Sequence, residues 1–91
     1  MADIITLPET LTIHTIGQTF AELRERFDTA GDDILIDGNN VETLDTSGLQ
    51  ALIVLIGSAQ ENDKQVGWQQ ANDLIASSAQ KLGLNGALLL A

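Results

Sequence analysis

Two periodicities divide the chain. Ile4-Ile5-Thr6-Leu7 reads as a short strand ended by Pro8-Glu9-Thr10, and Leu11-Thr12-Ile13-His14 alternates apolar and polar residues as a half-buried strand does. The tight connection predicts that these two strands pair as a hairpin. The period then lengthens. Ile16, Phe20, Leu23 and Phe27 follow at steps of four, three and four, one stripe of a helix that Thr15 would cap and Ala30-Gly31 would close. Ile34-Leu35-Ile36 is a continuous apolar run bounded by acids, which predicts a central strand buried on both faces, and Asn39-Asn40 marks a turn. A second helix carries Leu49, Leu52, Ile53, Ile56 and Ala59 on one face. Val54 and Leu55 broaden that surface, so this helix should be the most buried, and it frays at Glu61-Asn62-Asp63. Gln65-Val66-Gly67-Trp68-Gln69 is a further strand. Asn72 caps a last helix with Ile75, Ala79 and Leu82, and Gly83 is placed as its left-handed terminus. Ala87-Leu88-Leu89-Leu90 fits a final strand or a loosely packed tail. Strands alternating with helices predict an α/β domain with parallel pairing and right-handed crossovers.

The junction Leu44-Asp45-Thr46-Ser47-Gly48-Leu49-Gln50 is the chemically richest stretch. Its hydroxyls, flanked by an acid and a glycine, stand immediately before the apolar helix. Ser47 there reads as a helix cap, and Gln50 three residues on completes a capping box. A hydroxyl at a helix start is also a candidate phosphorylation point, because aligned N–H groups and the macrodipole favour negative charge. Gly48 allows close backbone approach. Asp45 is either a structural acid that binds turn N–H groups or part of a recognised surface. Asp37, at the end of the central strand, reads as a turn-forming residue. Trp68 fills the core or an edge, or anchors a partner if exposed.

Composition narrows the chemistry. The chain has 91 residues, the size of one domain spanning 1–91 with a single modest core. Thirteen acids against four bases give a net charge of −9, a balance that repels nucleic-acid phosphates and anionic membrane surfaces. Without cysteine there is no disulfide, thiol catalysis or thiolate metal site. His14 has no His or Cys neighbour with which to bind a metal, no Gly-rich phosphate loop is present, and nothing poises two acids for acid–base work. No cofactor and no catalysis are expected. The start Met1-Ala2-Asp3 lacks the pattern of a secretory signal, and no apolar run approaches the roughly 20 residues of a membrane span. A cytoplasmic protein without membrane insertion is the expectation.

Asp45-Thr46-Ser47-Gly48-Leu49 resembles the Asp-Ser-Ser-Gly-Leu signature of STAS domains, the family of anti-sigma-factor antagonists and sulfate-transporter tails. Ile34-Leu35-Ile36-Asp37 upstream, and Val66-Gly67-Trp68, Asn72 and Ala79-Gln80-Lys81-Leu82-Gly83-Leu84 downstream, extend the likeness over nearly the whole chain. The resemblance implies a STAS fold: a mixed, mostly parallel sheet of roughly four to five strands with an opening hairpin and about three to four helices. It implies a non-catalytic protein-interaction switch. By that resemblance Ser47, with Thr46 as an alternative, is the residue a serine kinase would phosphorylate. Asp45, Thr46, Ser47, Gly48, Leu49 and Gln50 would then meet an anti-sigma factor with a kinase fold. Antagonists usually carry Gly-x-x-Asp before the first helix; here Ile13-His14-Thr15-Ile16 has neither the glycine nor the acid. That departure favours a rival role, as the constitutive STAS subunit of a phospholipid-transport ATPase. An adaptor in a chemotaxis-type array is a third.

Overall fold

A computed structural model describes residues 2–90. Among these residues five short strands and three helices follow one another, with two strands before each of the first two helices and one before the third. The strands are β1 (Asp3–Thr6), β2 (Thr10–Leu11), β3 (Asp33–Asp37), β4 (Thr43–Leu44) and β5 (Gln65–Gln70). The helices are α1 (Ile16–Thr29), α2 (Thr46–Glu61) and α3 (Asp73–Leu82).

The strands form two sheets, a three-stranded one in the order β1-β3-β5 and a two-stranded one of β2 and β4. Every pairing is parallel. The opening hairpin expected from the sequence is absent. β1 runs beside β3 with Ile4 opposite Leu35, and β2 pairs instead with β4, Leu11 opposite Leu44. The strand expected over 11–14 stops at Leu11, because the Thr15 and Ile16 N–H groups both bond the Thr12 carbonyl and turn the chain into α1. In place of one mixed sheet of four or five strands, a core sheet and a small satellite ladder share the work.

The core forms where the inner face of the large sheet meets the helices. Ile5, Ile34 and Ile36 pack with Leu23 and Phe27 of α1, Leu52, Leu55 and Ile56 of α2, and Ile75 and Ala79 of α3. α2 is the most buried helix, as its broad apolar surface requires. Val54, however, stays on the outside. Asn72 caps α3 by accepting the Ile75 N–H at 3.0 Å, and Gly83 ends it at φ 69, the left-handed conformation only glycine adopts without strain. Leu82 departs from the expected buried stripe and is exposed.

The last described residues are neither strand nor loose tail. Residues 85–89 form turns. The Leu88 side chain is fully buried, and the Trp68 indole N–H donates to the Leu88 carbonyl at 2.7 Å. The Lys64 ammonium closes the C-terminal end of α1. It donates to the carbonyls of Phe27 (2.6 Å), Ala30 (3.0 Å) and Asp28 (3.2 Å), where unsatisfied carbonyls and the macrodipole favour a cation.

Candidate functional site

The satellite ladder builds the corner at which α2 begins. β4 delivers the chain to Asp45, whose N–H donates to the Leu11 carbonyl of β2 at 3.2 Å. Asp45 is the helix cap: its backbone is extended and its Oδ1 accepts the Gly48 N–H at 3.1 Å. The cap expected at Ser47 is therefore displaced by two residues, and the Ser47–Gln50 capping box does not form. Both residues are cap-competent. A contact outside the helix selects Asp45, because its second oxygen, Oδ2, accepts the Ile13 N–H at 2.9 Å from the turn after β2. One carboxylate thus fastens the start of α2 to the approach to α1.

These bonds hold the charged form. The Ile13 N–H is the main reason the Asp45 carboxyl lies below the usual carboxylate range. The Gly48 and Ser47 N–H groups and the nearby His14 charge add in the same direction, against a partial loss of solvent. Thr15, expected as the α1 cap, makes no side-chain cap bond. Its hydroxyl instead accepts the Thr12 N–H at 3.3 Å inside the turn. Asp37 forms the turn expected of it, accepting the Asn39 N–H at 3.0 Å.

Gly48 explains the tight fit. A Cβ at this position would run into the Leu11 carbonyl oxygen and come within 2.9 Å of the Leu11 Cβ, so the helix start and β2 touch backbone to backbone. Gly48 and Leu49 are buried and support the corner from below, while Thr46 and Gln50 are exposed and Ser47 is half-buried between them.

Three apolar side chains that the sequence did not single out for this role surround the corner. Ile13, 65% exposed, stands on the turn that Asp45 holds. Leu82, 49% exposed, lines a shallow groove of about 200 Å³ with Leu44, Asp45, Thr46, Leu49 and the α3 residue Lys81. Val54, 51% exposed, lies two turns along α2, on the side of Ser47 and Gln50. From Thr46 to Gln60 the chain has no charged residue, although the whole carries −9. No sequence signal marked this surround: the alternation at 11–14 put Ile13 on the apolar side of a half-buried strand, and the α3 stripe put Leu82 on a buried face.

Among the described residues no group of His, Cys, Asp or Glu is placed to hold a metal ion, and no helix is long and apolar enough to cross a membrane. The arrangement offers an uncharged, partly apolar ledge with a hydroxyl pair at its head. A model of the family described as "Mlab, STAS domain" matches residues 2–91. Comparison with curated proteins and with solved structures finds no significant match.

Proposed function

Because this chain belongs to the STAS domain family, we propose that it is a non-catalytic docking module whose recognition surface begins at the Asp45–Gln50 corner and continues along α2. The observation that carries this reading is the uncharged outer stripe of α2. Ser47, Gln50, Val54 and Ser58 succeed one another at helical spacing, and the exposed Ile13 and Leu82 flank the head of the stripe. In so acidic a molecule, a helix face without charge costs solubility and serves a partner that desolvates it.

Ser47 is the point of control in this reading. A phosphoryl group would add about −1.5 to −2 charges beside the Asp45 carboxylate and at the head of the ledge. The partner is a regulatory protein of the anti-sigma-factor, serine-kinase-like kind, which docks on the unmodified corner and is repelled by the phosphorylated one. Thr46, one residue earlier and exposed, is the alternative acceptor.

A second reading has its own support. The matching family carries the description "Mlab", and the stretch before α1 holds no acid beside the corner; it is tied to Asp45 through the Ile13 N–H. Both favour a constitutive subunit of a phospholipid-transport ATPase, with the same ledge as contact surface.

Quantitative pull-down from native lysate with wild type, Ser47→Ala and Ser47→Asp as baits separates the readings. A partner held by wild type and Ser47→Ala and lost with Ser47→Asp supports the switch. An ATPase subunit held equally by all three establishes the constitutive role. Partner capture that survives Val54→Lys and Ile13→Lys together refutes the ledge in either form.

A further inference from the structure

Among the described residues, the strand order leaves one face of the β1-β3-β5 sheet without helices. From β1 to β3 and from β3 to β5 the chain steps across the sheet in the same direction. Right-handed crossovers must then place α1 and α2 on the same face. α3 joins them there, since Ile75 and Ala79 enter the same core as Ile5, Ile34 and Ile36. The opposite face carries the alternate residues. Ile4, Leu35 and Gly67 lie in register across its middle, with Asp33 and Asp37 two residues either side of Leu35 on the central strand. Purely parallel sheets are ordinarily covered on both faces. Here Ile4 is 53% exposed, and Leu35, half-buried, takes no part in the core cluster.

Gly67 is the second observation. Glycine weakens the interior of a strand, and nothing in this fold requires one: a Cβ at Gly67 would meet Leu35 Cδ2 at 3.6 Å, an ordinary contact. The missing side chain leaves a dent beside Leu35, of the kind found where another molecule approaches closely. Charge decides what approaches. Two copies of this face would set Asp33 and Asp37 against each other in a chain already at −9, so the complement is cationic. Spacing agrees. Asp33 and Asp37 are separated by four strand steps, roughly 13 Å. On a helix, residues i and i+8 are about 12 Å apart with i+4 midway between them.

We propose that the helix-free face of the β1-β3-β5 sheet is a second docking surface, taking an amphipathic helix of a partner protein that sets an apolar side chain over Gly67 and Leu35 and lysine or arginine side chains against Asp33 and Asp37. The surface lies across the sheet from the α2 ledge, so one molecule engages two partners at once, or two parts of one partner.

The test is titration of isotope-labelled protein with a short synthetic helical peptide carrying lysine at i and i+8 and leucine at i+4, read by amide chemical shifts. Two control peptides replace the lysines by glutamate or the leucine by serine. Shifts centred on Ile4, Leu35 and Gly67 are expected, absent with both controls. In Gly67→Val the peptide affinity should fall about tenfold or more, while resistance to urea equals or exceeds wild type because valine is the better strand former. Double replacement Asp33→Asn and Asp37→Asn should also weaken binding. Shifts spread over the acidic surface, or equal binding of the serine control, would overturn the proposal. So would unchanged affinity in Gly67→Val, or a marked loss of its stability, which would make the glycine structural. A wild-type dimer in sedimentation that Gly67→Val dissolves would assign the face to a second copy instead.

Discussion

Replacing Gly48 by alanine sets two effects of opposite sign against each other. Within a helix, alanine is favoured over glycine by about 1 kcal/mol, because glycine loses more backbone freedom on folding. At Gly48 the new methyl group would overlap the Leu11 carbonyl oxygen and crowd the Leu11 Cβ at 2.9 Å. Leu11 has little freedom to yield. Its side chain is fully buried, and its carbonyl accepts the Asp45 N–H that fixes the start of α2. Overpacking against such a neighbour costs about 1–3 kcal/mol. With the upper end of that range applying to rigid backbone, the net is a loss of about 2 kcal/mol. For a domain of this size that lowers the melting midpoint by roughly 8–16 °C. Gly57 supplies the control within the same helix, since a Cβ there meets nothing within 4 Å. Gly57→Ala should gain up to about 1 kcal/mol. Urea unfolding followed by far-ultraviolet circular dichroism and by the fluorescence of Trp68 measures both variants. A Gly48→Ala protein as stable as wild type would refute the backbone contact between α2 and β2.

The Asp45 carboxyl ionises more readily in the folded chain than in the unfolded one, so its contribution is full above the ordinary aspartate pKa of about 4 and is lost as pH falls through the lower folded value. The stability gap between wild type and Asp45→Asn, measured by urea unfolding across pH, should be constant near neutrality and shrink below about pH 4. Leu88→Ala should cost about 2–4 kcal/mol despite its place near the end of the chain, because its side chain is fully buried; a change within experimental error would mean that the turn is not part of the core. Lys64→Met should destabilise by about 1–2 kcal/mol and raise hydrogen exchange selectively in the last turn of α1.

What the sequence disclosed, and what it hid, divides by the range of the interaction. The stripe from Ile16 to Phe27, the apolar surface of α2 apart from Val54, the Asn72 cap and Gly83 are local patterns, and each stands where its spacing put it. The hairpin failed because pairing is not a local property. Pro8-Glu9-Thr10 looks like a turn between two strands, yet the partners of β1 and β2 lie some thirty residues downstream. The cap failed for the same reason. Asp45 and Ser47 are equivalent candidates within the segment, and an N–H at Ile13 chooses between them. Leu88 was ambiguous because a run of leucines specifies burial without specifying geometry. The candidate corner was legible as chemistry, hydroxyls beside an acid and a glycine. Its apolar surround was not, since Ile13 and Leu82 reach it only through tertiary packing.

Lys64 gives the molecule a built-in clock. Its ammonium is engaged by three carbonyls at the end of α1, whereas Lys81 stands exposed at the end of α3. An amine-selective reagent should label Lys81 at the rate of a free side chain. It should reach Lys64 only in molecules whose α1 terminus has momentarily let go. The ratio of the two labels, read by mass spectrometry of a single sample, then reports how often that end of the fold opens, with one lysine timing the other.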